Sequence, residues 1–242
     1  MTPFSLSWNA GYRGVVLALA VFISGYFLYW FVSNSARLRR FSEKRYGGER
    51  GQSMYILFQR AVGIVFLGLP AVVLTIALPE FGFKTFGITT IDSPAAVFWI
   101  LGTGAVVVPL VLSFSRRQSF FETYPLIREK SWNGFLILAN TVSWCIYILV
   151  YEYLFRGFLL GACIGPFGVW PAILVNVAVY VCVHIPYGFF VTLGSLPLGL
   201  AMCMATVQTG SIWSAYAVHL LVALMNDYVA LAANPLMRVD LR

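Results

Sequence analysis

Long apolar runs separated by short polar segments dominate this chain. A run crosses a bilayer as a helix when it contains about 20 mostly apolar residues. Seven runs approach this length, and each predicts a membrane-spanning helix. The runs cover approximately Arg13–Val32, Met54–Leu78, Ser93–Phe114, Trp132–Leu160, Phe167–Ile185, Phe189–Val207 and Ile212–Ala233.

This pattern predicts an all-α fold, a polytopic membrane helical bundle of about seven transmembrane helices. Glycine and proline interrupt the apolar pattern between Pro186 and Pro197, so a short eighth or re-entrant segment there is an alternative. A short loop is expected at about 161–166. No soluble domain and no internal repeat is evident.

Composition supports a bilayer as the solvent. The chain is 60% hydrophobic and 10% charged, whereas soluble domains carry roughly 25% charged residues. Membrane lipid is therefore a predicted partner. The net charge of +7 does not indicate nucleic acid, because six of the sixteen basic residues fall in one segment between two apolar runs. They are Arg37, Arg39, Arg40, Lys44, Arg45 and Arg50.

The basic segments predict an orientation, since cytoplasmic loops are enriched in Lys and Arg. The segments at about 34–53 and 115–131 hold most of the basic residues between the runs. With seven spans, the N-terminus is then outside and the C-terminus cytoplasmic. We expect an integral protein of the inner (plasma) membrane of a bacterium or archaeon.

Five ionisable side chains of the Asp, Glu, Arg, Lys or His kind occur between positions 131 and 237, and they include both histidines of the chain. Burying an ionised group in lipid costs several kcal/mol, so such groups usually face a polar interior and carry function. The five are Glu152, Arg156, His184, His219 and Asp227.

Two spacings place these groups on helix faces. Glu152 and Arg156 are one turn apart, which suits either a reaction centre or a structural ion pair. Asn176, Tyr180 and His184 recur every four residues and form one polar stripe. The alternative for the stripe is hydrogen bonding between helices.

The last span contributes a third set. His219 and Asn226 are two turns apart on one face. Asp227 lies roughly 80° off that face. The alternative place for Asp227 is near the membrane interface, where a carboxylate costs little. Arg60, in the second span, either extends to the interface or faces the cavity as an anion partner.

One glutamate and two histidines can supply a general base or acid and two donors to an oxyanion. Glu152, His184 and His219 could equally be three ligands of a catalytic zinc. In either case the chemistry is the attack of an activated water on a carbonyl group.

These residues resemble the CPBP family, the CAAX-protease and bacteriocin-processing (Abi) membrane proteins. The family has a Glu-Glu-x-x-x-Arg motif, then Phe-x-x-x-His, then His-x-x-x-Asn. Here Tyr151 and Glu152 precede Arg156, Tyr180 precedes His184, and His219 follows the stretch Thr-Gly-Ser-Ile-Trp.

Two positions depart from the family pattern. The first glutamate, which the family uses to activate water, is Tyr151, and the family asparagine after the last histidine is Ala223. Glu152 does not inherit the missing role automatically, because one residue rotates a helical side chain by about 100°. Asn226 and Asp227 are the nearest polar candidates for the place of the family asparagine, roughly 5 Å along the axis, and Asn176 could also supply an amide.

The resemblance implies that the chain has three parts: N-terminal helices with basic loops at 1–129, a catalytic core at 130–235 and a short basic tail at 236–242. It implies an intramembrane endopeptidase in which Glu152 polarises water and Arg156 steadies it. His184 and His219 would stabilise the oxyanion or bind metal, and Asn226 would assist. The substrate would be a peptide or membrane protein cleaved near the membrane surface.

A second hypothesis is a catalytically inactive scaffold, an immunity or regulatory protein whose polar cluster binds a partner's transmembrane segment. Tyr151 and Ala223 favour it. A proton-coupled transporter is a weaker third hypothesis, because no duplicated halves are present.

Overall fold

The computed structural model describes residues 10–78, 81–90 and 93–240, and these residues form nine helices and one very short sheet. The helices are α1 Arg13–Ser33, α2 Ala36–Tyr46, α3 Gly48–Ala77, α4 Pro94–Phe114, α5 Gln118–Thr123, α6 Gly134–Phe167, α7 Val169–Cys182, α8 Phe189–Thr209 and α9 Trp213–Ala233. Strands β1 Ser131–Trp132 and β2 Arg238–Val239 pair in parallel. They tie the start of α6 to the C-terminal tail, of which positions 241–242 lie outside the described residues.

Six of these helices are long and apolar enough to cross a membrane: α1, α3, α4, α6, α8 and α9. Helix α7 is apolar but shorter. Together they account for the seven predicted spans, and the all-α polytopic fold is confirmed. Large apolar side chains remain exposed along them, among them Ile23 at 65% and Phe98 at 68%, as expected for lipid-facing surfaces.

Two local predictions were wrong. The predicted loop at 161–166 is helical, and α6 ends only at Phe167, where Gly168 adopts a positive φ of 79°. The stretch from Pro186 to Pro197 is not an eighth segment. It contains a 3₁₀ turn at Ile185–Tyr187 and then the first half of α8, which begins after Gly188 (φ 93°).

The two basic segments form short helices beside the bundle. The first is helix α2, whose N-terminus is capped when the Ser35 hydroxyl accepts a hydrogen bond from Leu38 N. The second is helical only in α5. The Arg128 guanidinium donates to the carbonyl oxygens of Phe121 and Glu122, both at 2.6 Å, so it satisfies carbonyls that the end of α5 leaves free.

The centre of the bundle is the middle of α6. Every residue from 151 to 160 is buried, so this stretch is surrounded by protein on all sides. Over Tyr153–Leu159 the backbone forms a π-helix, in which hydrogen bonds join residues five apart. Such short π-helical turns within α-helices are frequent at functional sites. The Asn176 side chain of α7 donates to the Phe155 carbonyl at 2.6 Å and braces this π-helical turn.

The segment 81–90 packs against the other side of the π-helical turn. A Cβ atom added at Gly157 would lie 2.6 Å from the Phe86 carbonyl oxygen, so the two backbones touch there. The same segment holds the start of α9, because Ile212 N donates to Gly87 O at 3.0 Å. Trp213 Nε1 donates to Thr89 O at 2.8 Å. The segment therefore joins the two helices that carry Glu152 and His219.

Candidate active site

A cavity of about 730 Å³ lies among helices α1, α4, α6, α8 and α9 and the chain around α5 and the end of α7. Its walls are mainly apolar and aromatic. Aromatic wall residues include Tyr26, Tyr29, Phe120, Trp144, Tyr151 and Tyr180. Its charged wall residues, histidines apart, are Arg117 and Glu122, and both are exposed where the cavity meets the surface.

Glu152 and His219 meet at the inner end of this cavity. The Nδ1 atom of His219 lies 2.5 Å from Oε1 of Glu152. Glu152 is 0% exposed and does not line the cavity, whereas His219 does. The imidazole therefore stands between the carboxylate and the cavity. An ionised carboxylate only accepts hydrogen bonds, so Nδ1 carries the proton and Nε2 is left free.

Arg156 completes the buried charge cluster. Its Nη1 atom lies 3.4 Å from Oε1 of Glu152, and both side chains are fully buried. The guanidinium also covers the ring of Tyr180, with Cζ 4.2 Å from the ring centroid. Such a partner is what a carboxylate requires inside a membrane. The predicted pairing of Glu152 and Arg156 is present.

His184 faces the same cavity from just beyond the end of α7. Its Nδ1 atom lies 2.7 Å from the Tyr180 carbonyl oxygen. A carbonyl oxygen can only accept, so Nδ1 carries the proton here as well. The Tyr180 ring neighbours both imidazoles, with its centroid 4.3 Å from that of His184 and 6.1 Å from that of His219.

The polar stripe on α7 divides into two roles. Asn176 is fully buried, donates to Phe155 O and accepts from the Cys203 thiol at 3.2 Å, so it makes the alternative contact, a hydrogen bond between helices. Tyr180 and His184 reach the cavity.

Asn226 also lines the cavity, but at a different depth. Seven residues separate it from His219 along α9, which corresponds to roughly 10 Å of helix. It lies beside Tyr124, near the exposed end of the cavity. The structure thus gathers Glu152, Arg156, His184 and His219 and leaves Asn226 apart from them.

A second buried charge cluster surrounds Asp227. Asp227 is 0% exposed, and its Oδ2 atom accepts from Trp144 Nε1 at 2.7 Å and from Asn140 Nδ2 at 3.3 Å. Arg60 Nη2 lies 3.6 Å away, and its guanidinium carbon lies 3.9 Å from the Trp144 ring centroid. Arg60 is 4% exposed and paired with an anion inside the bundle, although it does not line the cavity.

This second cluster ties α3, α6 and α9 to the segment beside the cavity. Oδ1 of Asp227 accepts from the backbone N–H of Leu126 at 3.0 Å. Arg60 and Asp227 are separate intramembrane charges in the sequence, and nothing in the sequence links them. Tyr124 packs nearby, and burial together with the Asp227 charge raises the pKa of Tyr124 to about 12.

The described residues contain no group of three or more His, Cys, Asp or Glu side chains that could hold a metal ion. One nitrogen of each histidine is already occupied, by Glu152 and by the Tyr180 carbonyl. The other nitrogen, Nε2, is the one that binds metal when Nδ1–H of a histidine has a carboxylate or carbonyl partner. Zinc binding by Glu152, His184 and His219 stays a prediction.

Comparison with protein families matches this part of the chain. Residues 128–225 fit the family model described as Type II CAAX prenyl endopeptidase Rce1-like. This segment is similar to that family. The match confirms the resemblance to CAAX-protease membrane proteins. The Rce1-like range contains Glu152, Arg156, His184 and His219 and ends one residue before Asn226. No curated protein and no solved structure shows a significant match to the chain.

Proposed function

We propose that this protein is an intramembrane endopeptidase of the CAAX-protease type. The observation that carries the proposal is the contact between His219 and the buried Glu152 at the wall of a cavity that also presents His184. A buried acid that orients an imidazole toward an accessible cavity is an arrangement suited to general base catalysis.

His219 acts as the general base in this proposal, and Glu152 positions it. Glu152 holds the proton on Nδ1, so Nε2 presents its lone pair to a water in the cavity. This differs from the role expected from the sequence, in which Glu152 itself polarises water. The carboxylate lacks access to the cavity, whereas His219 has it.

The other residues have supporting roles. Arg156 supplies the opposite charge that lowers the free-energy cost of burying the Glu152 carboxylate. His184 presents a second Nε2 acceptor to the cavity and helps to hold the attacking water. Asn226, about two turns toward the exposed end, contacts the substrate chain rather than the scissile carbonyl.

The cavity suggests the substrate class. Its inner walls are uncharged and aromatic, and its charged residues Arg117 and Glu122 lie at the exposed end. A largely apolar peptide segment fits such walls, with its polar part left at the membrane surface. Suitable substrates are a peptide precursor, a lipidated C-terminus or the end of a transmembrane segment.

Profiling of new peptide termini tests the proposal without a known substrate. Membranes from cells that express the native chain are compared with membranes that contain Glu152→Gln at equal abundance. We expect a set of termini that is present with the native chain and lost with Glu152→Gln. Cys182→Ser, at an exposed position that does not line the cavity, serves as the matched control and should retain them.

Identical termini in all three samples would contradict the peptidase proposal. If Glu152→Gln also lost co-purifying membrane proteins without any change in termini, the scaffold hypothesis would take its place. Tyr151 and Ala223, at positions where the family has Glu and Asn, are the observations that keep that hypothesis in view.

A further inference from the structure

The proposed hydrolysis creates a negative charge on the carbonyl oxygen, and this charge needs a hydrogen-bond donor. Neither imidazole supplies one in its neutral form. The Nδ1 proton of His219 is used by Glu152, and that of His184 by the Tyr180 carbonyl. Both Nε2 atoms are then acceptors. The donor has to come from another wall residue.

The remaining candidates near the inner end are few. Arg156 is 1% exposed and does not line the cavity. Asn226 lines it, but about 10 Å of helix away from His219. The cavity wall also holds several tyrosines, and two of their rings contact that of His219. Tyr180 is the more distant of the two and lies under the Arg156 guanidinium, so Tyr151 is the nearest hydroxyl-bearing ring to the base.

Tyr151 has the required position. It lines the cavity, and its ring centroid lies 5.5 Å from that of His219 in an edge-on arrangement. The ring is fixed, because it stacks on Phe155 at 4.4 Å. Among the described residues, no hydrogen bond engages its hydroxyl. A rigid phenol with an unused O–H group therefore faces the cavity beside the base.

We propose that Tyr151 is a catalytic residue whose hydroxyl donates a hydrogen bond to the carbonyl oxygen as it becomes an oxyanion. The inference rests on the peptidase function proposed above. It assigns a role to the one position at which the sequence departs from the acidic pair of the family.

The water oxygen attacks the carbonyl carbon while His219 Nε2 takes a proton from the water. The carbonyl π pair moves to oxygen, and the Tyr151 O–H stabilises that oxyanion without transferring its proton. The tetrahedral intermediate then collapses, the C–N bond breaks, and the leaving amine takes the proton from His219 Nε2.

Cleavage kinetics of purified protein in liposomes test the role of Tyr151. The probe is a panel of internally quenched peptides that includes a prenylated CAAX peptide, its unprenylated twin and an apolar transmembrane segment. For any peptide the native chain cleaves, Tyr151→Phe should lower kcat about 10²- to 10³-fold, the loss typical of one oxyanion donor. KM should stay nearly unchanged, because the substrate carbonyl needs this donor little before attack.

Two further measurements separate a catalytic role from a structural one. Tyr153→Phe is the matched control, since it lies on the same helix and its hydroxyl bonds to Thr75 away from the cavity; its kcat should match that of the native chain. A phosphinate peptide, which mimics the tetrahedral intermediate, should lose affinity for Tyr151→Phe, whereas the uncleaved substrate should not.

Each outcome has a distinct meaning. Cleavage by the native chain with an unchanged kcat in Tyr151→Phe overturns the role of Tyr151 and leaves the peptidase proposal intact. Equal losses of substrate and phosphinate affinity show a binding role and also overturn it. If the native chain cleaves no peptide of the panel and produces no new termini in membranes, both proposals are wrong.

Discussion

The Nδ1 atom of His219 lies 2.5 Å from Oε1 of Glu152, although the two residues are 67 positions apart. The carboxylate is sealed inside the bundle, and the imidazole lies between it and the cavity. Because the carboxylate lies behind the imidazole, only the imidazole can contact a water molecule in the cavity. This arrangement makes Nε2 of His219 the exposed end of the pair and Glu152 the residue that sets its protonation.

The first prediction concerns the tautomer of His219. The chain has two histidines, so a ¹⁵N-histidine NMR spectrum contains two imidazoles. We expect both to carry the proton on Nδ1 and to show an unprotonated Nε2. Glu152→Gln should change the His219 signals, because an amide NH₂ can donate to Nδ1 and move the proton to Nε2.

His184→Gln assigns the two sets of signals and is the control for this spectrum. The His184 signals should be the same in the native chain and in Glu152→Gln, since its Nδ1 proton is fixed by the Tyr180 carbonyl. A His219 that carries its proton on Nε2 in the native chain would contradict the assignment of the base.

The second prediction concerns the buried pair of Arg60 and Asp227. Arg60→Met leaves the Asp227 carboxylate without its cation and should lower the free energy of unfolding by about 3–5 kcal/mol. Asp227→Asn removes the charge but keeps an oxygen for the Leu126 N–H. The double variant should therefore be more stable than the sum of the two single changes implies, with a coupling of about 0.5–3 kcal/mol.

Unfolding in detergent, followed by circular dichroism, gives these free energies. The surface pair Arg39 and Glu43 is the comparison, at a distance of 3.0 Å but well exposed. Its double-mutant cycle should give no more than about 0.5 kcal/mol. Additive effects of Arg60→Met and Asp227→Asn would show that the buried pair is not coupled.

The third prediction concerns the contact between α6 and the segment 81–90. Gly157→Ala places a methyl group 2.6 Å from the Phe86 carbonyl oxygen, where backbone has to move. We expect a loss of about 1–3 kcal/mol in unfolding free energy and a lower cleavage rate, because the start of α9 is attached to the same segment.

Gly165→Ala is the matched control on the same helix. Nothing lies within 4 Å of a Cβ atom added there. Its stability should stay within about 1 kcal/mol of the native chain, since alanine only adds helix propensity. Equal destabilisation by the two substitutions would show that the Phe86 contact is unimportant.

The fourth prediction concerns orientation. The basic helix α2 and the segment around α5 are expected in the cytoplasm, with the N-terminus outside and the C-terminus inside. Green fluorescent protein fused to the C-terminus should fluoresce, and alkaline phosphatase fused there should be inactive. Active phosphatase at the C-terminus would reverse the orientation and place the exposed end of the cavity on the outer side.

Much of the fold could be predicted, because the length of an apolar run is a local property. The first and third predicted spans end within about one residue of α1 and α4. The end of α6 was missed because Pro166 lies inside the helix and the chain turns only at Gly168. The π-helix was not predicted, and the residues that contact its backbone, Asn176 and Phe86, come from distant segments.

The sequence identified most residues of the candidate site, but it did not predict which of them reaches the cavity. Intramembrane charges are few, so Glu152, His184 and His219 stood out. Their relative depth depends on how α6 and α9 face each other, and the sequence does not contain that angle. The pair of Arg60 and Asp227 was missed for the same reason, because 167 positions separate the two residues.

The central claim is that His219, oriented by Glu152, makes a water attack a peptide bond. Hydrolysis of the quenched-peptide panel by liposome-reconstituted protein in ¹⁸O-labelled water measures this directly. We predict that the native chain puts one ¹⁸O into the new carboxyl terminus and that Glu152→Gln and His219→Gln each reduce the rate about 10²- to 10⁴-fold. Undiminished cleavage by folded His219→Gln would contradict the account.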